Sequence, residues 1–158
     1  MTAQLRPARP EDTARIAAIW HAGWRDGHLG HVPEALVAAR TGESFAVRAA
    51  QRTAETTVAE AAGEVAGFVI VAGDEVEQVY VAARHRGTGI APQLLAEGER
   101  LVAAGGHPQA WLAVVAGNNR ARRFYQRLGW SDEGPFDYPA ANGDETVAVP
   151  ARRYVKPL

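Results

Sequence analysis

The chain contains 158 residues, a length that fits one domain with a single core, and we expect that domain to span residues 1–158. It has no cysteine, which excludes a cysteine nucleophile, a disulfide framework and a thiolate metal site. The formal net charge of −1 argues against a nucleic-acid-binding protein, because such proteins usually carry a clear basic excess.

The sequence also lacks the features of a membrane or exported protein. The N-terminus has no continuous apolar stretch of the kind that a signal peptide needs. Apolar runs such as residues 69–72 are far too short to span a bilayer. We therefore expect a cytoplasmic protein without a membrane partner.

The first part of the chain predicts a short strand at residues 4–6 and two helical stretches. The first helix begins near Pro10, which suits a first helical turn, and it carries apolar residues at helical spacing. Glycine and proline between positions 27 and 33 interrupt this helix. A second helical stretch covers residues 34–52 and is interrupted near Gly42.

The middle of the chain changes to the period of β-strands. Three strands are predicted, at residues 57–61, 65–72 and 75–82. Tight turns at Gly63 and Gly73 separate them, so these strands should form an antiparallel meander.

Helices and strands alternate in the remainder of the chain. The predicted elements are a helix at 87–104, a strand at 109–115, a helix at 120–128 ended by Gly129, a strand from Trp130, and a last strand at 146–156 after a Pro/Gly/Asn-rich loop. The expected fold class is therefore α/β, with a mixed central sheet in which an antiparallel meander passes into strand-helix-strand-helix-strand, and with helices on both faces.

The segment that joins the third strand of the meander to the next helix contains two glycines. A helix N-terminus presents unpaired N–H groups and the positive end of the helix dipole, which suit a pyrophosphate. Gly87 and Gly89 would let the backbone approach such a ligand closely. The Gly-Lys-Ser/Thr ending of a Walker loop is absent, and Pro92 replaces the third glycine of a dinucleotide fingerprint. Taken alone, the segment could also be a plain strand-to-helix turn.

This loop is the first of two linked motifs. They read Arg84-x-x-Gly87-x-Gly89 and Asn118-x-x-Ala121-x-x-Phe124-Tyr125-x-x-x-Gly129-Trp130. In order and spacing they resemble the pyrophosphate loop and the second motif of the GNAT superfamily of N-acetyltransferases. The element order is also similar from residue 5 to the final strand, so the resemblance covers nearly the whole chain.

The resemblance implies that acetyl-CoA is the co-substrate. We expect no metal, because His28 and His31 are too few and no acidic cluster completes a site. The pantetheine arm would add to the sheet as an extra strand, through the backbone of Val79, Tyr80 and Val81. The implied contacts to the pyrophosphate are Arg84, Arg86, Gly87, Thr88, Gly89 and Ile90. Asn118 would contact the pantetheine or cap the last helix, and Phe124 would pack near the cofactor.

Acetyl transfer to an amine requires a base, because a free amine has a pKa near 10. Strand alternation places Glu75, Glu77 and Val79 on one face, so either glutamate is a candidate base, directly or through water. The alternative is that both are solvated acids at the start of a strand. Tyr125 occupies the position at which many relatives carry a tyrosine that protonates the leaving thiolate. The alternative for Tyr125 is a packing residue with a satisfied hydroxyl group.

The sequence gives the least information about the pocket that binds the acceptor. In similar proteins the first helix and the following loop form one wall, which makes Trp20, Trp24 and His28 the expected substrate-binding residues. Tryptophans four residues apart are by default core residues, whereas Trp24 could instead face a cationic amine. The loop at residues 136–138 could close the opposite side.

The expected function is therefore that of an N-acetyltransferase, which moves an acetyl group directly from acetyl-CoA to an amine in a ternary complex. The acceptor could be a small molecule or a protein amino group. A non-catalytic acyl-CoA sensor or interaction module on the same fold is the alternative. Exposed final strands make a homodimer plausible.

Overall fold

The structure is a computed structural model that describes residues 3–158. In chain order its strands and α-helices are β1 (Gln4–Pro7), α1 (Thr13–His28), α2 (Glu34–Ala39), α3 (Gly42–Gln51), β2 (Thr56–Ala61), β3 (Glu64–Ala72), β4 (Glu75–Val81), α4 (Ile90–Ala104), β5 (Gln109–Val115), α5 (Asn119–Arg127), β6 (Ser131–Asn142) and β7 (Glu145–Pro157). Within residues 3–158, no helix combines the length and the apolarity that crossing a bilayer requires.

All seven strands belong to one mixed sheet in the order β1-β2-β3-β4-β5-β7-β6. Strands β1 to β4 pair antiparallel, β4 and β5 pair parallel, and β7 lies antiparallel between β5 and β6. Gly63 and Gly73 form the turns of the meander with φ of 77° and 61°, a conformation that side chains disfavour. The α/β class and the predicted mixed sheet are confirmed.

The sheet buries an apolar cluster on each of its faces. On one face α1 and α3 contribute Trp20 and Phe45, whose ring centroids lie 5.7 Å apart, and Phe68 of β3 lies 5.7 Å from Trp20. On the other face α4 contributes Leu94 and Leu95, which pack with apolar residues of β3, β4 and β5. These clusters hold the helices against the strands that carry the site.

Strand β6 corrects the predicted Pro/Gly/Asn-rich loop. The segment is a long edge strand in which exposed and half-buried residues alternate, although it contains Pro135 and Pro139. Proline is tolerated at a sheet edge, because its missing N–H is not needed for a second ladder. The strand and its partner β7 form a hairpin, and Tyr138 lies in the strand rather than in a loop.

A β-bulge in β4 changes which side chains share a face of the sheet. Ile70 of β3 lies opposite Gln78, whereas Val71 lies opposite Val76, so β4 contains one extra residue at this point. Val76 consequently packs in the same cluster as Val79, on the α4 side. The prediction that the two glutamates of β4 share a face with Val79 is therefore wrong, because the bulge interrupts the alternation on which it relied.

Gly23 of α1 is required by the packing of Tyr80 against this helix. A β-carbon at position 23 would overlap Cδ1 of Tyr80 and lie 2.9 Å from its Cε1. We predict that Gly23→Ala lowers the free energy of unfolding by about 1–3 kcal/mol, because overpacking outweighs the better helix propensity of alanine. Chemical denaturation measures this change.

Gly42→Ala is the matched control, because a β-carbon at this helical position would lie 3.7 Å from Nδ1 of His21, at ordinary contact distance. We expect Gly42→Ala to leave the stability unchanged or slightly raised. Equal stability of the two variants would contradict the packing described for Gly23.

Candidate active site

The site lies where β4 and β5 separate. The two strands pair at a single position, Glu75 opposite Trp111, and no further pair joins them. A cavity of about 260 Å³ opens beyond this pair, and residues of β4, β5, α1, α3, α5 and the β6–β7 hairpin line it. The cavity therefore reaches both faces of the sheet.

The edge of β4 that faces this gap has backbone groups available for an added chain. The N–H of Ala82 donates to the carbonyl of Ala66 on β3, at 2.8 Å. Hydrogen bonds alternate along an antiparallel ladder, so Tyr80 also faces β3 while Val79 and Val81 face the gap. The backbone of Tyr80 thus differs from the prediction, and its side chain lines the cavity instead.

The loop before α4 has the geometry of an anion-binding turn. Gly87 and Gly89 have φ of 76° and 86°, and a β-carbon at either would meet nothing within 4 Å. Within residues 3–158, no backbone carbonyl accepts the N–H groups of Gly87, Thr88 or Gly89. These groups and the start of α4 can therefore hold an anionic group such as a diphosphate.

The side chains around this loop are already paired. Arg84 bonds Glu64, and Arg86 lies 2.9 Å from Asp26 of α1. The side chain of Ile90 is buried in the core, so only its backbone faces the loop. The backbone N–H groups of this loop are thus available to a ligand, whereas its arginine side chains are already paired.

Tyr125 is held in the cavity by the cap and by the aromatic packing of α5. Asn118 caps this helix through its Oδ1, which accepts the N–H of Ala121 at 3.2 Å. The Tyr125 ring packs edge-on against Phe124 and Trp130, at 5.2 and 6.3 Å between ring centroids. Burial raises the pKa of Tyr125 to about 12, so its hydroxyl group is protonated at neutral pH and can donate a proton.

Of the two other residues predicted on this motif, one lines the cavity and one does not. Asn118 lines it and also caps α5, so the capping role that the sequence left open is present. Phe124 packs against the α4-side cluster and supports Tyr125. Its contribution is therefore to packing behind the cavity wall.

Glu75 is the acid of β4 whose environment fits a base. Its Oε2 accepts a hydrogen bond of 2.9 Å from the hydroxyl group of Tyr138 on β6. Burial raises the pKa of Glu75 to about 7, although the Tyr138 hydrogen bond opposes this shift. A carboxyl group with this pKa exchanges protons near neutral pH, as a general base must.

Glu77 has a different environment, although it lies two residues away and lines the same cavity. Both of its carboxylate oxygens accept bonds from Arg52, at 2.6 and 2.8 Å. A bidentate ion pair of this kind fixes the side chain and directs both carboxylate oxygens towards Arg52. The structure thus separates two acids that the sequence could not distinguish.

Two of the three substrate-binding residues predicted on α1 lie in the cavity wall that is expected to receive the acceptor, here called the acceptor wall. Trp24 and His28 line the cavity, and their rings stack at 4.6 Å. His28 Nδ1 donates to the carbonyl oxygen of Trp24 at 2.9 Å, and burial lowers the pKa of His28 to about 4, so the ring is neutral. The prediction that Trp20 binds the substrate is wrong, because this residue is 0% exposed in the core and does not line the cavity.

Two arginines of the acceptor wall are not indicated by the sequence. Arg40 follows α2, Arg48 lies on α3, and both line the cavity. Each is a charged residue next to apolar residues of a helical region, where an arginine is ordinarily solvent-exposed. Their inward direction follows from tertiary packing, in which α3 lies against α1 and both arginines line the cavity.

The sequence matches a model of the acetyltransferase (GNAT) family over residues 14–130. Among curated proteins no match is found.

Solved structures share the fold over the whole chain. A GCN5-related N-acetyltransferase from Rhodopseudomonas palustris is 26% identical, with a TM-score of 0.78 over 100% of this chain and 97% of that one. A phosphinothricin acetyltransferase from Sinorhizobium meliloti, in complex with acetyl-CoA, is 22% identical, with a TM-score of 0.73 over 100% and 89%. The PaiA N-acetyltransferase from Thermoplasma acidophilum, in complex with coenzyme A, is 17% identical, with a TM-score of 0.73 over 100% of both chains.

The raised pKa of Glu75 predicts how stability depends on pH. Between the ordinary carboxyl pKa of 4.5 and about 7, the folded protein holds a proton on Glu75 that the unfolded chain releases. The contribution of Glu75 to the free energy of unfolding therefore falls as the pH rises through this window. Glu75→Gln removes this dependence, so the stability of the variant relative to the wild type should increase from pH 4.5 to pH 7.

Urea denaturation of both proteins across this pH range measures the difference. Above about pH 8 both forms of the wild-type protein are ionised at this residue, so the difference should become constant. A difference that stays constant throughout the range would show that the pKa of Glu75 is not raised by folding.

Proposed function

The chain belongs to the acetyltransferase (GNAT) family, and from this membership we propose that it transfers the acetyl group of acetyl-CoA directly to an amine acceptor. The observation that carries this function is the gap between β4 and β5, because Glu75 and Tyr125 both line it. The complexes of the Sinorhizobium and Thermoplasma proteins with acetyl-CoA and coenzyme A support the choice of co-substrate. The family match ends at residue 130, yet β1, β6 and β7 belong to the same sheet, so we treat the chain as one catalytic domain.

The residues present fit acetyl-CoA along its length. The free N–H groups of residues 87–89 and the start of α4 would bind the diphosphate. The outward backbone groups of Val79 and Val81 would pair with the pantetheine arm as with an added strand. Acetyl-CoA supplies a thioester whose acetyl group moves without a covalent enzyme intermediate, which agrees with a chain that has no cysteine.

Glu75 and Tyr125 divide the proton transfers between them. Glu75, with a pKa of about 7, accepts a proton from the acceptor amine directly or through water. Tyr125, with a pKa of about 12, is protonated and donates to the departing sulfur. Trp24 and His28 form the wall against which the acceptor lies, and the neutral His28 adds no positive charge that would repel an amine.

Substitution at Gly89 tests the cofactor loop. Gly89→Val places a branched side chain at φ of 86° and beside the amide groups that would hold the diphosphate. We expect the Kd for acetyl-CoA to rise by about 10-fold or more, which corresponds to ~1.4 kcal/mol. Isothermal titration calorimetry measures it.

Gly106→Val is the matched control, because Gly106 has φ of 89° and open space but lies at the other end of α4. Its backbone strain is similar, so it should lose stability yet bind acetyl-CoA as the wild type does. Equal loss of affinity in both variants, or in neither, would remove the loop from the binding site.

Release of free thiol from acetyl-CoA in the presence of a panel of amines tests the reaction. We expect release with at least one amine, and we expect Tyr125→Phe and Glu75→Gln each to lower kcat by about 10²–10⁴-fold with little change in acetyl-CoA affinity. Glu77→Gln should have a smaller effect on kcat, because Glu77 is occupied by Arg52.

Binding of acetyl-CoA without thiol release from any amine would contradict the proposed catalysis. The chain would then be better described as an acyl-CoA sensor. Unchanged turnover of Tyr125→Phe would assign the donated proton to another group.

A further inference from the structure

Arg40 and Arg48 form a pair of inward-facing cations on the acceptor wall. Arg40 is only 8% exposed, and its Nε is buried without a hydrogen-bond partner. Arg48 is half-buried, and its guanidinium lies 4.5 Å from the centre of the Trp20 ring. Within residues 3–158, neither guanidinium has a carboxylate oxygen within 4.0 Å.

The acids of the cavity do not neutralise this pair. Glu77 acts on Arg48 through space, but both of its oxygens are held by Arg52. Glu75 is bound to Tyr138. No acid is among the charged groups that act on Arg40, whose pKa is lowered to about 10 by burial and by Arg48. Arginine side chains stay protonated in proteins, so both guanidinium groups are charged at neutral pH.

Buried cations are ordinarily paired, because removing a charge from water without a counter-charge is costly. Guanidinium groups bind carboxylates and phosphorus oxyanions well, since their N–H groups form a planar fork. An oxyanion between Arg40 and Arg48 would satisfy the buried Nε and cancel the repulsion between the two cations. The stacking of Arg48 on Trp20 already fixes one of them for this purpose.

We propose that Arg40 and Arg48 bind an oxyanion of the acceptor, so that the acceptor is an amine that also carries an acid group. This deepens the proposed function and rests on it, because Glu75 receives the amine on the β4 side of the same cavity. The acceptor spans the cavity with its amine towards Glu75 and its acid group towards α2 and α3. Carboxylates and phosphonates share the required chemistry.

Matched acceptors that differ only in the acid group test this inference. Each amino acid is compared with its carboxamide, and glycine, β-alanine and 4-aminobutyrate vary the spacing, while 2-aminoethylphosphonate replaces the carboxylate. A carboxamide has the less basic amine, so reactivity alone favours it. We expect the acids to have the higher kcat/KM, by roughly 10- to 100-fold, through a lower KM.

Arg40→Met and Arg48→Met should abolish this preference by raising KM for the acids, with kcat/KM for the carboxamides nearly unchanged. Arg100→Met is the matched control, because Arg100 is an exposed residue of α4 that pairs with Glu97, and it should keep the preference. Arg40→Met should also melt at the same or a higher temperature than the wild type, since it removes an uncompensated buried charge. A lower melting temperature with the preference intact would overturn the inference and leave Arg40 a purely structural role.

A binding measurement separates this inference from the proposed function. Saturating coenzyme A occupies the loop at residues 87–89, so that added phosphate cannot bind there. Under this condition, inorganic phosphate at constant ionic strength should raise the Tm of the wild type but not that of Arg40→Met. That result without acetylation of any amine would support the anion site and contradict the transfer reaction. Acetylation of acids and carboxamides with equal KM, or an equal phosphate shift in Arg40→Met, would overturn the anion site and leave the transfer reaction standing.

Discussion

The site depends on the separation of β4 from β5. The two strands share one residue pair, Glu75 with Trp111, and each strand is held on its other side by a long antiparallel ladder, β4 by β3 and β5 by β7. Parallel strands ordinarily pair continuously, because unpaired backbone groups are costly. Here the two antiparallel halves and the apolar clusters on both faces maintain the gap. The open edge of β4 is thus a property of the whole sheet.

The bulge in β4 determines what this gap contains. Without the extra residue, regular alternation would turn Glu75 and Glu77 to the side of α4, into an apolar cluster. With it, both face α3 and the β6–β7 hairpin, where Arg52 binds one and Tyr138 the other. Two acids of the same strand therefore acquire different hydrogen-bond partners from their surroundings alone, and burial raises the pKa of Glu75 to about 7.

Much of the fold could be predicted from the sequence, because glycines and apolar periods act locally. Gly63, Gly73 and Gly129 mark the two turns and the end of α5, and each has positive φ in the structure. The bulge could not be predicted, since it is defined by the register of β4 against β3. Arg40 and Arg48 were also missed, because their inward direction follows from how α2 and α3 pack. The sequence predicts a loop around Tyr138, because Pro135 and Pro139 disfavour a strand inside a sheet, whereas the structure has an edge strand there.

The two sides of the cavity are built from different parts of the chain, and this explains which of them the sequence predicts. The proposed cofactor side consists of backbone groups, namely the free N–H groups around the positive-φ glycines and the unpaired edge of β4. Many different side chains can support such a backbone, and sequence motifs indicate it. The proposed acceptor side consists of side chains from α1, α3 and β6 and from the end of α2, which meet only through tertiary packing. Tyr138, which donates a hydrogen bond to Glu75, also lies beyond residue 130, where the family match ends. Family membership therefore says more about the proposed cofactor side of this cavity than about the proposed acceptor side, and the proposal for the acceptor is argued from Arg40, Arg48 and Glu75.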